Sequence, residues 1–478
     1  MLVPPLPGKL TDDWNNIILN QAGAKWDDFK DVVRINALVL ARFDLDEGRE
    51  LNHVVLVGQI PDATTTEKGT AAAFANFIAA SLQELGYLDV PVYVIAWNAH
   101  DMTNGTPLES DTTIQTKTLT NVTKQFTDAS GVSTALTKME TMEGTRGFWL
   151  CKTGDPTGRY AVSCRHVWQV DHIINQEENL PYNYMIGPGL SRAEVAWPVD
   201  MPGIKQMVDQ KRRDLGRLIR AVEHRIARPN RTANAWDVLA KEESEHALNE
   251  LIQFEAKTVR RKEDLKTRTS GYVEWSPPID LDPQTGCAID MAIARSYESA
   301  HSPDELENYI ILGDKISEIE LLNGLNSNDA NTNGFIYPDN GKLVFKTSIT
   351  PMAMLMKGTQ VNEEGKEDTP VLKDGRTTGI TMGRVSSAWG ERDITMPDGS
   401  KKRTRELVIF NLKKTEAFSQ KGDSGSAIVR CVGERAELVG MVTGGRGENC
   451  NPDITWATPA EVLQQQWAAQ GYYLPGTG

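Results

Sequence analysis

Cysteine is scarce in this chain. Cys151, Cys164, Cys287, Cys431 and Cys450 are spread over 478 residues with no CxxC pair, which leaves a disulfide framework or a structural zinc site little to build on. Such a set reads as reduced, buried thiols. There is also no HExxH and no clustered acidic loop, so no metal and no other cofactor is expected. Long apolar runs are missing too. The most apolar helical stretch, "AAAFANFIAASL" (71–82), is too short to span a bilayer, so no membrane partner is expected. The opening "MLVPPLPGKLTDDWNN" lacks the basic and apolar regions of a secretory signal, and the expected location is the cytoplasm. Positive charge is in deficit: 51 Lys and Arg against 65 Asp and Glu give a net −14. That balance disfavours nucleic acid as a partner.

What is present fits a multidomain globular protein. Hydrophobic residues make up 40% and charged residues 24% of the chain, enough for a substantial core. Residues 1–100 read as a small α/β accessory domain. Strand patterns at 31–44 and 51–60, a helix pattern at 70–88 and a strand at 90–97 predict a strand–helix–strand crossover. At its strand-to-helix turn stands "PDATTTEKG" in place of a glycine-rich phosphate loop, so a nucleotide role has no support. Residues 101–143 are rich in Thr, Asn, Asp and Ser and read as a linker, with a short helix expected near 132–142.

From 144 the pattern turns to β. "GFWLCK", "TGDPTG" and "RYAVSC" predict a hairpin within 144–202, the start of a first barrel. Residues 203–268 interrupt it with apolar residues spaced three and four apart on both sides of "RPNRTAN", predicting an inserted helical hairpin. This insert holds 16 Lys and Arg against 11 Asp and Glu. A solvated face explains that charge; the sharper reading is a docking site for an acidic protein partner. Residues 269–365 read as the rest of the first barrel and a connection, and 366–478 as a second β-barrel with a closing helix. Thr458 is the expected cap of that helix.

Chemistry-bearing residues collect in three strings. "GDSGS" (422–426) carries Ser424, although Gly, Asp and Ser are also ordinary turn residues. "SCRH" (163–166) ends the hairpin's second strand with His166, which a folded core would equally accept as a structural histidine. "DMAI" (290–293) places Asp290 in an apolar run, where a carboxylate needs a partner such as an imidazole N–H, or caps a local turn.

In this order the three strings resemble the motifs of the chymotrypsin/trypsin-like serine peptidases of clan PA. "VGMVTGG" (439–445) resembles the family's strand after the nucleophile, and "GRTTGITMGRV" (375–385) resembles the strand pair opening its second barrel. The resemblance spans roughly 144–470 apart from the helical insert. It implies an all-β trypsin-like double barrel and a catalytic triad of His166, Asp290 and Ser424. It further implies an oxyanion hole from the N–H groups of Gly422 and Ser424, and a polypeptide substrate added as a strand along Thr443 and Gly445. Phe418 stands six residues before Ser424, where members specific for basic residues keep Asp, so cleavage after Arg or Lys is not expected. Arg165 replaces a small residue beside the histidine, and Ser426 replaces a glycine. Asp423 matches the aspartate that pairs with a new N-terminus in family zymogens, and here it needs another partner. The implied activity is serine endopeptidase; the alternative is a latent or inactive trypsin-fold binding module. An α/β-hydrolase esterase is not matched, because Gly is absent two residues after Ser424 and the Ser…Asp…His order is reversed.

Overall fold

Short stretches rich in β-branched and aromatic residues dominate the chain, and the computed structural model is accordingly mostly β with several helices. It describes residues 2–3, 8–29, 35–43, 53–59, 63–96, 100–101, 123–139, 142–168, 179–184, 192–227, 235–300, 306–312, 316–325, 335–345, 348–361, 367–412, 416–445 and 454–476. Cys450 and most of the expected linker lie outside them.

In the N-terminal part, helical residues Lys9–Asp13 and Trp14–Ile18 lead into α1 (Leu19–Phe29). Then come β1 (Ile35–Phe43), β2 (His53–Gln59), α2 (Thr65–Glu84) and β3 (Val92–Ala96). A capping box starts α2: Glu67 N–H donates to Thr64 Oγ1 at 3.3 Å, and Thr64 N–H donates to the Glu67 carboxylate at 2.6 Å. β1 and β2 pair antiparallel, and β2 and β3 pair parallel across α2, as the crossover pattern expects. The first helical segment is an addition to that expectation. It buries Trp14, Ile18, Leu19, Ala22 and Trp26 against Phe74 and Ile78 of α2. The sheet does not stop at this unit: Ala37 and Leu38 pair with Arg392 and Glu391 of the strand Gly390–Thr395. Two further residues, β4 (His100–Asp101), pair with a strand far along the chain.

The expected helix near 132–142 is instead a strand, β5 (Val132–Leu136). Every residue in it is buried, because partners on both edges claim its backbone. It belongs with β6 (Gly144–Arg146), β7 (Phe148–Lys152), β8 (Asp155–Ser163) and β9 (Glu194–Ala196). α3 (Met201–Ile226) and α4 (Ala235–Phe254) follow, then β10 (Thr269–Ser276) and β11 (Ala292–Ser296). The pairings run β5–β6, β7–β8, β8–β11, β11–β10, β10–β9 and β9–β5. Only Gly147 separates β6 from β7, so the strands close into a ring. α3 and α4 leave this ring between β9 and β10, which pair directly with each other. Met201, Ile204, Val208 and Leu215, spaced three, four and seven apart, form the seam against Leu251 and Val259.

The C-terminal part repeats the plan with β12 (Pro370–Gly375), β13 (Gly379–Val385), β14 (Gly390–Thr395) and β15 (Lys401–Asn411). These are followed by β16 (Ala427–Val432), β17 (Arg435–Gly445), β18 (Ile454–Pro459) and α5 (Ala460–Ala469). Pairings β17–β16, β16–β12, β12–β13, β13–β15, β15–β18 and β18–β17 again close a ring. Thr458 does not cap α5: its hydroxyl donates to Ala288 O at 2.8 Å, and Pro459 takes the cap position. One buried cluster joins Phe148, Val162 and Ile293 of the first ring to Ala427, Leu438 and Met441 of the second. Loops that meet between the rings are therefore held on two packed walls. No helix among the described residues is long and apolar enough to cross a membrane.

Candidate functional site

His166 and Asp290 meet because of register. Ala292 of β11 lies opposite Ser163 of β8. Asp290 stands two residues before that pair and His166 three residues after it, at the same end. One Asp290 oxygen accepts the His166 backbone N–H at 3.1 Å, and the other contacts the ring Nδ1. Burial pushes the Asp290 carboxyl up, but the imidazole and its two hydrogen bonds outweigh burial and hold it below the usual carboxylate range. An aspartate so held remains ionised and fixes the ring by both contacts.

Ser424 comes from the second ring on a loop whose backbone is tied to the strands that carry His166, and its Oγ makes no hydrogen bond to the His166 ring. The Ser424 carbonyl accepts Thr145 N–H of β6 at 2.8 Å, and Thr145 O accepts the Ser163 hydroxyl at 2.8 Å. Val442 O accepts both Gly425 N–H at 2.9 Å and the Cys164 thiol at 3.3 Å. The residue after Ser424 and the residue two before His166 thus share one acceptor. Ser424 is fully buried, and its Oγ makes no hydrogen bond among the described residues. Such an orphaned hydroxyl is uncommon and calls for an explanation.

The loop's amides alternate. Asp423, Gly425 and Ser426 donate to Gln420 O, Val442 O and Asp423 O, whereas the N–H groups of Gly422 and Ser424 donate to nothing among the described residues. Gly422 and Gly425 sit at φ +93° and +91°, a backbone that a side chain would strain. A Cβ at Gly422 would also lie 2.5 Å from Thr377 Oγ1.

Asp423 has a partner that the sequence does not announce. Lys373 Nζ of β12 stands 3.3 Å from its carboxylate, both side chains fully buried. The same carboxylate accepts Thr378 Oγ1 at 2.6 Å, Thr377 N–H at 2.8 Å and Gln420 N–H at 3.0 Å. Burial raises its pKa, and the lysine and these donors more than reverse that, leaving it below the ordinary value. Lys373 in turn donates to Gly379 O at 3.0 Å and to Thr378 Oγ1. Because a lone buried carboxylate is costly, Lys373→Met is expected to cost about 3–5 kcal/mol in urea unfolding. A loss below about 1 kcal/mol would contradict the pairing.

Other expected residues fall in different settings. Arg165 is a tie, buried and donating to Pro277 O at 2.6 Å and Leu180 O at 2.8 Å. Ser426 Oγ donates to Asp423 O at 2.6 Å. Phe418 lies inside the second ring, packed with Val385, Ile409 and Val439, and has no surface open to solvent. Thr443 turns its hydroxyl to Glu406 at 2.7 Å. Glu406 is held by Arg392 through two bonds of 3.1 and 3.3 Å, a buried pair that sequence reasoning missed. Its only signal is a carboxylate opening the apolar run "ELVIF". The Arg392 charge also favours the ionised form of Asp290. The backbone of Gly444 and Gly445 pairs with Trp456 and Thr455 on one edge and with Asp101 and His100 on the other.

Cys164, His166 and Asp290 are the one grouping among the described residues close enough to hold a metal ion. Burial pushes the Cys164 thiol well above its usual range, and the Asp290 carboxylate already holds the imidazole, so the donor set suits a hydrogen-bonded pair better than a metal.

No protein-family model and no curated protein sequence matches the chain. Among solved structures, a protein described as a glutamic-acid-specific serine protease that uses a histidine triad in substrate binding is similar at 13% identity and a TM-score of 0.30. The match covers 72% of this chain and 99% of that one. A likeness of that size adds no weight to any assignment.

Proposed function

We propose that the chain is a serine endopeptidase built on a trypsin-like double barrel with an N-terminal α/β unit. Ser424 Oγ attacks the peptide carbonyl, His166 takes its proton and returns it to the leaving amine, and Asp290 fixes the imidazole tautomer. The N–H groups of Gly422 and Ser424 hold the oxyanion, and Thr443 and Gly445 pair with the extended substrate. The observation that supports this reading most is a buried serine hydroxyl with no hydrogen-bond partner among the described residues, beside two amides that donate to nothing among them, on a loop tied to the strand end that carries an aspartate-clamped histidine. Lys373 supports it further, since an internal cation satisfies Asp423 without a newly cut N-terminus. Phe418 is packed in the second ring's core and lines no open surface, so it bears on specificity only in that no aspartate stands at its position to favour Arg or Lys.

The experiment is digestion of a peptide library blocked at both ends, with new termini read by mass spectrometry. Internal cleavages, few of them after Arg or Lys, are expected. Cleavage no greater than that of Ser424→Ala protein would overturn the reading.

A further inference from the structure

The edge that would receive substrate is already occupied. β16 stops pairing with β17 at Ala427↔Met441, and Val442 is still tied to Gly425 and Ser426, so β17 runs on from Thr443 with that edge released. Its other edge stays with β18 through Gly445↔Thr455. On the released edge lies β4, antiparallel, with His100 opposite Gly445 and Asp101 opposite Gly444. The direction of that pairing leads from Asp101 toward Thr443, the approach to Ser424. A strand here satisfies the backbone groups that an extended polypeptide would otherwise use.

The placement follows from the N-terminal unit. β3 ends at Ala96, three residues short of His100, and is fixed by parallel pairing to β2. β2 pairs with β1, and β1 pairs with β14 of the second ring. The unit is thus built into the same sheet system as β17 and delivers β4 on a short tether. Gly444 cannot be bulkier: a Cβ there would lie 2.8 Å from Arg392 Nη1.

We infer that His100–Asp101 is an intramolecular occupant of the peptide-accepting edge of β17, which slows the cleavage of external polypeptides without abolishing it. The inference rests on the reading of Ser424 as a nucleophile. A strand tethered this closely has an effective concentration on the order of millimolar, so an external peptide must outcompete it. Small acylating or phosphylating probes do not pair with β17, so β4 does not compete with them.

The test compares wild type with His100→Pro/Asp101→Pro, which removes both β4 amide donors. A second variant, His100→Gly/Asp101→Gly, loosens the strand without a proline. Each is assayed for kcat and KM on a library-derived peptide and for its rate of fluorophosphonate labelling. The expected result is a kcat/KM about tenfold higher or more, carried by a lower KM, at an unchanged labelling rate. Should the proline variant melt early, the glycine variant decides. Equal labelling with unchanged or lower kcat/KM in a folded variant would overturn the inference while leaving the nucleophile intact. Absence of labelling in every protein would overturn the underlying reading, and the inference with it.

Discussion

Replacing Ser424 with Ala is expected to lower turnover of a library-derived peptide by a factor on the order of 10^6, about 8 kcal/mol of transition-state stabilisation. The change removes one oxygen that makes no hydrogen bond among the described residues, so the fold should lose little. The backbone contacts of the loop, Thr145 N–H to Ser424 O and Gly425 N–H to Val442 O, do not involve the side chain. What is lost is the covalent step itself. Oxyanion stabilisation by the Gly422 and residue-424 amides survives, so a small rate above water should remain. KM should move little, because the peptide edge of β17 is untouched. Steady-state kinetics on matched, equally stable proteins give the answer; a fall below about tenfold would remove Ser424 from the chemistry.

Asp290→Asn is expected to lower kcat about 10^4-fold with KM nearly constant. The reason lies in the two contacts of this carboxylate. One oxygen accepts the His166 backbone N–H and the other faces the ring Nδ1. An asparagine has one acceptor and one donor to offer in the same place. If its oxygen keeps the backbone N–H, its NH2 group faces Nδ1, and the ring proton moves to Nε2. That nitrogen then cannot accept the serine proton. The charge that stabilises the imidazolium is lost as well. A purely structural role for Asp290 would instead lower the melting temperature and leave kcat of the folded fraction near wild type.

The residues proposed to react stand out in the sequence because each sits in a short string whose local pattern survives folding. Ser424 lies in a turn that glycines demand, His166 at a strand end, and Asp290 at a break in an apolar strand. Their supports were not legible, because each is a non-local pair. Lys373 and Asp423 are 50 residues apart in sequence, and Arg392, Glu406 and Thr443 come from three strands. Nothing in "VLKDG" says that its lysine points at a loop which forms later in the chain. The same holds for β5, whose own residues predict a helix and which partners at 144–146 and 194–196 make a strand. β4 is the extreme case: two residues with no strand pattern of their own, defined wholly by the edge they meet. The N-terminal helix was different, since the spacing of Trp14, Ile18, Ala22 and Trp26 is an amphipathic stripe that the Pro-rich start obscured.

The most direct measurement is fluorophosphonate labelling of the folded protein with the adduct mapped by mass spectrometry. The account predicts one adduct per chain, on Ser424, abolished by Ser424→Ala and slowed severely by Asp290→Asn. A folded wild-type protein that takes no label, or takes it on another residue, would contradict it.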